Sequence, residues 1–243
     1  MLDRFKTLAG GLKTFMKKTD KTHAVLGLSG GVDSVLTAKI AVEALGAKNV
    51  TALLMPNDRL TNPQNVTDAS DWARALGIEF IIVPINHFLI SYEELPWKPS
   101  LLADMNLNAR VRATILYHFA NAHDAIVLGT GNKTELALGY FTKYGDGACD
   151  VEVIGDLYKT DVWAMSKAIG VPKAIVEKIP SAELKESQTD EGEMGLSYPD
   201  ADAILQAIER GENPMGKAVN KVCAMMRQAA HKTQMPPTLS SAV

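Results

Sequence analysis

A glycine pair between an apolar run and an amphipathic stretch most constrains how this chain can fold. Residues 23–39 read HAVLGLSGGVDSVLTAK. The apolar residues at 24–28 predict a short buried strand, Ser29-Gly30-Gly31 interrupts it, and the pattern from Val32 to Ile40 predicts an amphipathic helix. The chain therefore passes directly from a strand into a helix at residues 29–31.

This turn has the composition of a phosphate-binding site. Paired glycines let the backbone approach a ligand closely, and the start of the following helix offers unpaired N–H groups to an anion. Ser29 and Ser34 add hydroxyl donors, whereas Asp33 brings a carboxylate that suits a bridging divalent cation. We expect a magnesium nucleotide here. An ordinary turn in which Asp33 or Ser34 caps the helix is the alternative.

The rest of the chain alternates strand and helix patterns. Such alternation predicts an α/β fold with a doubly wound, mostly parallel sheet, right-handed crossovers and helices on both faces. Ligands bind such sheets at the carboxyl ends of the strands, where both glycine-rich turns, 29–31 and 129–131, are expected. Further strands are predicted at 50–55, 80–83, 125–128 and 151–154, and helices at 62–76, 103–123, 160–169, 200–210 and 214–231.

Three other segments lie outside this alternation of strands and helices. Apolar residues spaced three or four apart between Leu2 and Phe15 predict a helix for docking or subunit contact rather than for a membrane surface. Residues 86–102 are irregular and contain two prolines. The polar segment 181–197 has weak periodicity, which predicts a covering loop.

Composition limits the classes of function. A chain of 243 residues fits one domain, and its net charge of -3 gives no basic footprint for nucleic acid. No apolar run approaches roughly 18 residues and the N-terminus is unlike a signal peptide, so we expect a cytoplasmic protein without membrane association. Cys149 and Cys223 are far apart, which argues against a disulfide framework, a zinc site and sulfur transfer.

Seven segments together resemble a known family. SGGVDS alone resembles the PP-loop of ATP pyrophosphatases. With NLNARVR, GTGNKTE, GYFTKYGDGACD, DLYKT, PSAEL and QTDEGEMG, in order, the chain resembles NAD synthetases over nearly its whole length. The resemblance implies an adenine nucleotide alpha-hydrolase-like fold. It also implies that ATP adenylates the nicotinate carboxylate of deamido-NAD, and that ammonia then displaces AMP to form NAD.

The resemblance also assigns residues to the ligands. It implies Mg²⁺ ligation by Asp33 and Glu135. Its ATP contacts are Gly27, Leu28, Ser29, Gly30, Gly31, Val32, Asp33, Ser34, Thr130, Lys159 and Ser181. Its deamido-NAD contacts are Arg110, Lys143, Asp150, His231 and Lys232. Taken singly, Glu135 could be a first-turn helix charge, Arg110 and Lys159 surface cations, and His231-Lys232 an ordinary basic helix end.

Asp33, Lys159 and Asp146 are the predicted catalytic residues. Asp146 is our candidate for binding ammonium and accepting its proton, because it lies in the KYGDG turn that the family places by the nicotinate end. A role in an Asx turn is the alternative. We expect one synthetase domain over 1–243, no glutaminase domain, direct use of ammonia, and the homodimer typical of the family.

Two other functions remain compatible with the sequence. One is another amidating ligase that shares the ATP loop but acts on a different acceptor, such as a purine or an amino acid. The other is a regulatory module that binds ATP without chemistry. Release of pyrophosphate that depends on deamido-NAD separates all three.

Overall fold

A computed structural model of the chain describes residues 1–185 and 188–239. Its centre is a five-stranded sheet in which every neighbouring pair is parallel, in the order β3-β2-β1-β4-β5. The strands are β1 (His23–Gly27), β2 (Val50–Leu54), β3 (Glu79–Ile82), β4 (Ala125–Gly129) and β5 (Val151–Glu152). The predicted fold class is therefore confirmed.

Helices cover both faces of this sheet. Those described are α1 (Leu2–Thr19), α2 (Val32–Leu45), α3 (Pro63–Leu76), α4 (Asn86–Ile90), α5 (Leu101–Ala122), α6 (Lys133–Leu138), α7 (Lys159–Ala168), α8 (Lys173–Val176), α9 (Asp190–Met194), α10 (Tyr198–Glu209) and α11 (Lys217–Ala229), with a short 3₁₀ turn at Ala47–Asn49. Within these described residues, no helix combines the length and the apolar character needed to cross a membrane.

Alternation along the strands divides the core into two layers. In β1, Ala24 and Leu26 face the layer that contains α1, α2, α3 and α7, whereas Val25 faces the layer that contains α5. All three side chains are fully buried. Successive strand residues point to opposite faces, so a strand covered on both sides reads as a continuous apolar run.

The strand order creates the place where a ligand can enter. From β1 the chain crosses to β2 on one side, and the later strand β4 pairs on the other side. The segments that leave β1 and β4 therefore diverge at the carboxyl edge of the sheet. This is the topological switch point, where α/β sheets bind ligands.

Several local expectations need correction. The chain after Glu152 turns away, so β5 has two residues instead of the predicted 151–154. In the 86–102 segment, residues 86–90 form α4 and α5 begins at Leu101. The apolar face of α1 packs on its own chain, with Phe5, Leu12 and Met16 buried against the sheet layer.

The covering-loop prediction for 181–197 is wrong for its second half. Asp190–Met194 is a helix whose first and last residues are buried, and the Thr189 side chain caps its start. Met194 packs in an apolar cluster with Tyr198 and Leu138, which the weak periodicity did not reveal. Glu186 and Ser187 lie outside the described residues.

Candidate active site

A cavity of about 570 Å³ opens at the carboxyl ends of β1, β2 and β4. Its walls include the glycine turn after β1, one face of α5, and the segment 178–184. Every predicted ATP residue except Gly30 lines it. The cavity also contains the predicted catalytic residues Asp33, Asp146 and Lys159.

The turn at 28–34 is shaped by its two serines and by Gly30. The Ser34 hydroxyl donates to the Gly31 carbonyl at 3.0 Å and lies 3.1 Å from the Ser29 hydroxyl. Gly30 has φ +82°, and a Cβ there would collide with the backbone carbonyl of Asn65 on α3. Helix α2 begins directly after this turn, so its first N–H groups have no helical partner and face the ligand side.

A buried lysine joins the two predicted magnesium ligands. Lys159 Nζ lies 2.6 Å from Asp33 Oδ2 and 3.4 Å from Glu135 Oε1, and its side chain is 2% exposed. Burial by itself would lower the pKa of Lys159, but the charges of Asp33 and Glu135 raise it above its usual value. The lysine therefore carries its charge between the two carboxylates.

Glu135 has the opposite response to burial. Burial raises the pKa of its carboxyl, the Lys159 charge lowers it, and the Asp33 charge raises it again. An extra cation beside Glu135 would favour its ionised form. The cluster is thus suited to bind a cation that is itself bound to an anionic ligand.

Asn132 positions both acids, although the sequence interpretation did not include it. Its side-chain oxygen caps α6 by accepting from Glu135 N at 3.0 Å, and its amide nitrogen donates to Asp33 Oδ1 at 2.9 Å. The Glu135 carboxylate accepts a hydrogen bond from Asn132 N at 3.2 Å, which completes a capping box. The N-x-x-E spacing in GTGNKTE is the signal that could have identified this residue.

A second buried connection holds the start of α7. Asp202 on α10 accepts hydrogen bonds from the Thr134 hydroxyl and from Thr160 N, the latter at 2.8 Å. Thr134 Oγ1 in turn accepts from Lys159 N at 3.0 Å. Asp202, Thr134 and Lys159 are each at most 2% exposed. No local pattern indicates Asp202, because it reaches the site from a distant helix.

Helix α9 supplies a third acid near the cluster. The Tyr198 hydroxyl donates to Asp190 Oδ2 at 2.9 Å and lies 3.3 Å from Glu135 Oε1. Tyr140 also donates to Asp190, at 3.3 Å. Burial raises the pKa of Asp190, and the Lys159 charge opposes that rise. Sequence reasoning missed this residue because it placed 181–197 in a loop.

Asp146 lines the cavity, and its side chain is exposed there. Its Oδ1 accepts from Thr142 N at 2.8 Å, so the residue also organises its own loop. Burial raises the pKa of Asp146, and hydrogen bonds from the loop backbone oppose that rise. This bond runs back four residues to Thr142, so it is not the Asx turn considered from the sequence, and the catalytic role stays a prediction.

The predicted deamido-NAD residues lie together outside the cavity walls. Lys232 Nζ donates to the carbonyls of Gly139 and Phe141, both at 2.7 Å, and Lys143 Nζ donates to the carbonyl of His231. Residues 139–143 therefore contact the chain just after α11.

The other two members of that set also contact the backbone. Arg110 Nε reaches the Lys143 carbonyl at 3.4 Å. Asp150 Oδ2 accepts from Val127 N at 2.8 Å, and its other oxygen accepts from the Tyr117 hydroxyl at 3.2 Å. Their role in substrate binding stays a prediction.

The donor set near Lys159 fits magnesium carried by a phosphate ligand. Among the described residues, no group of three or more His, Cys, Asp or Glu side chains could hold a metal by itself. Mg²⁺ is usually bound through one or two carboxylates plus substrate phosphates and waters, and each carboxylate oxygen has two lone pairs. Asp33 and Glu135 can therefore share their oxygens between the lysine and such an ion.

Comparison with known proteins gives one consistent result. The sequence model of the NAD synthase family matches residues 5–236. A curated NH(3)-dependent NAD(+) synthetase from Archaeoglobus fulgidus is 45% identical over 226 residues, which cover 93% of this chain and 92% of that protein.

Two solved structures agree with this chain over almost their full lengths. NMN synthetase from Francisella tularensis has a TM-score of 0.87 at 34% identity and covers 98% of this chain and 97% of its own. NH3-dependent NAD synthetase from Campylobacter jejuni, in complex with nitrate, has a TM-score of 0.81 at 31% identity, with 97% of both chains covered.

The glycine turn generates a stability prediction. Gly30→Ala places a Cβ against the Asn65 carbonyl in a left-handed conformation, so unfolding free energy should fall by at least about 1–2 kcal/mol. Gly10→Ala, inside α1 with no neighbouring atom within 4 Å among the described residues, should instead gain about 0.5–1 kcal/mol. Urea unfolding of both variants measures the difference, and equal effects would contradict the assigned turn geometry.

Proposed function

Because this chain belongs to the NAD synthase family, we infer that it uses ATP and ammonia to convert deamido-NAD into NAD. It is a ligase that forms a carbon–nitrogen bond and releases AMP and pyrophosphate. One observation carries the inference beyond family membership. The cavity combines the glycine turn after β1, the Asp33–Lys159–Glu135 cluster and the Asp146 carboxylate in one space.

The first step makes a leaving group on the nicotinate carboxylate. A carboxylate oxygen attacks the α-phosphorus of ATP, the bond from that phosphorus to the bridging oxygen breaks, and pyrophosphate leaves. We propose that residues 29–34 bind the leaving pyrophosphate through backbone N–H groups and serine hydroxyls. Lys159, held between two acids at a fixed position, provides a cation at the same place.

We propose that Asp33 and Glu135 also hold Mg²⁺ together with the ATP phosphates. When bound, the ion neutralises charge on the departing pyrophosphate. The support is the all-oxygen donor pair and the raised pKa of Glu135, which burial produces and an added cation would reverse. Lys159 keeps the two carboxylates from repelling each other before the ligand arrives.

The second step forms the amide. Ammonia attacks the carbonyl carbon of the adenylate, the bond from that carbon to the AMP oxygen breaks, and one proton must leave the nitrogen. We propose that the Asp146 carboxylate binds ammonium and accepts its proton, which frees the attacking ammonia. The proton that the nitrogen loses when the amide forms is released to solvent. The support is its position in the same cavity as the glycine turn, with an accessible oxygen and a pKa that burial raises.

We propose that the deamido-NAD dinucleotide extends along the 139–150 loop toward the end of α11. Arg110, Lys143 and Lys232 have no carboxylate within 4.0 Å in the described part of the chain, so their charges are available to phosphate groups. Asp150 and His231 complete this set. We propose that the chain works as one synthetase domain in the cytoplasm and uses ammonia directly.

The purified chain should make NAD from deamido-NAD, ATP and an ammonium salt, and should make none when glutamine replaces ammonium. Excess EDTA should stop the reaction, and added Mg²⁺ should restore it. A parallel assay with nicotinate mononucleotide separates the dinucleotide acceptor from the one implied by the Francisella tularensis relative. NAD formation from glutamine alone would contradict the single-domain proposal.

Asp146→Asn tests the ammonia step. Asparagine keeps an oxygen for the Thr142 N–H but cannot accept a proton, so NAD formation should fall about 100- to 10,000-fold. Exchange of labelled pyrophosphate into ATP in the presence of deamido-NAD should persist, because adenylation does not need this group. Asp156→Asn, at an exposed ion pair, is the control. Undiminished NAD formation by Asp146→Asn would exclude the proposed role.

We also propose a homodimer that uses the surface from 81 to 102. Exposed apolar side chains concentrate there, including Ile82, Phe88, Trp97, Leu101 and Leu102. Apolar patches of this kind mark interaction surfaces, and β3 is an edge strand that a partner can cover.

The double variant Ile82→Lys/Phe88→Lys should shift the protein from dimer to monomer, because it places charge in the proposed interface. Light scattering coupled to size-exclusion chromatography measures the mass. Met215→Lys, at a 93% exposed residue far along the chain from this surface, should leave the dimer intact. A wild-type monomer at micromolar concentration, or a double variant that remains dimeric, would contradict the proposal.

A further inference from the structure

Three cationic side chains line the cavity, and only one of them lacks a carboxylate partner. Lys159 is paired with Asp33 and Glu135, and Lys178 is paired with Asp68. Arg112 is the third, and no carboxylate of the described residues comes within 4.0 Å of it. The cavity wall therefore contains a guanidinium whose charge is not balanced by a contact.

Helical spacing directs Arg112 into the cavity. Ala109, three residues before Arg112, and Leu116, four residues after it, line the cavity on the same face of α5. Arg110, two residues away, lies on another face and is exposed. Residues two apart on a helix do not share a face, so the two arginines cannot serve the same part of the ligand.

One hydrogen bond fixes the guanidinium in place. Arg112 Nε donates to the carbonyl of Met55 at 2.9 Å, just beyond the carboxyl end of β2. Among the described residues, no protein atom accepts a hydrogen bond from the two terminal nitrogens of Arg112. Four N–H donors are thus left to a ligand, in the planar arrangement that matches a phosphate.

The surroundings of Arg112 favour an anion. Burial lowers the pKa of Arg112, and the charges of Asp146 and Glu183 raise it only in part. Even so, a guanidinium stays protonated at any ordinary pH, so it can donate hydrogen bonds but cannot act as an acid. A half-buried charge without a partner is costly, and a bound anion removes that cost.

The position of Arg112 selects which anion. The phosphate turn follows β1, and Lys159 and Glu135 lie toward β4 and β5 on one side of it, where the pyrophosphate belongs in the proposed reaction. Arg112 is held at β2, on the opposite side of β1, and its charge interacts with that of Asp146. The group between the pyrophosphate and the site of ammonia attack is the α-phosphoryl group.

We propose that Arg112 binds the α-phosphoryl group of ATP and of the adenylate formed from it. The assignment rests on the proposed synthetase activity. In the first step the guanidinium offsets the repulsion between the nicotinate carboxylate and the α-phosphate. In the second step the guanidinium remains on the phosphate of the departing AMP, while Asp146 holds the proton that it took from ammonium.

Binding measurements separate this contact from a structural role. Calorimetry with AMP, adenosine and inorganic pyrophosphate compares wild type with Arg112→Met, which keeps the aliphatic stem and removes every donor. AMP affinity should fall about 10- to 100-fold, because charged hydrogen bonds to its single phosphate are lost. Adenosine and pyrophosphate affinities should stay within about twofold, which also shows that the cavity remains folded.

Two further variants complete the test. Arg112→Lys keeps the charge, but a single ammonium group cannot bond to the Met55 carbonyl and also bind a phosphate through two parallel N–H groups. Its AMP affinity should therefore be intermediate. Arg74→Met removes an exposed arginine paired with Asp71 and should leave all three affinities unchanged.

Unchanged AMP affinity in Arg112→Met would overturn the assignment. An equal loss of AMP and adenosine affinity would also overturn it, because the arginine would then only support the wall. These measurements need no turnover. If wild type makes no NAD but shows the AMP contrast, the proposed function fails and the Arg112 contact stands.

Discussion

The buried ammonium of Lys159 between Asp33 and Glu135 is the interaction on which the site depends. It joins the starts of three helices, α2, α6 and α7, that follow three different strands. Removing a lysine from water is costly, and that cost is offset only when paired charges and hydrogen bonds surround it. The arrangement therefore stores a positive charge at a defined place before any ligand is bound, which is what an enzyme that releases pyrophosphate requires.

Polar contacts from more distant elements hold this cluster in position. Asn132 ties Asp33 to the start of α6, and Asp202 ties the start of α7 to Thr134. Tyr198 connects Glu135 to Asp190 on α9. Asn132, Asp202 and Tyr198 are buried and hydrogen-bonded, so they hold the predicted catalytic side chains in fixed positions. The segment 188–194, which reads as a polar loop, is thereby part of the packed site.

Local patterns were sufficient for the sheet, and they failed where packing decided the outcome. Apolar runs of four to six residues and the glycines after them predicted β1 to β4 close to their observed bounds. The same reasoning predicted β5 two residues too long. Val153 and Ile154 are apolar because they pack in the core after the strand has ended, not because they belong to it. It missed α9 because Met194 and Asp190 are buried by contacts with Tyr198 and Leu138, not by a periodic face of their own.

The sequence alone determined the parallel α/β architecture, the glycine turn after β1 and the family, because these depend on periodicity, glycine geometry and ordered motifs. Only the tertiary structure distinguished Arg110 from Arg112, two residues apart in one motif. The distinction depends on which face of α5 meets the sheet, and that is set by packing across β1, β2 and β4. The tertiary structure likewise decided that Lys159, which could be a surface lysine when taken singly, is only 2% exposed and lies between two acids.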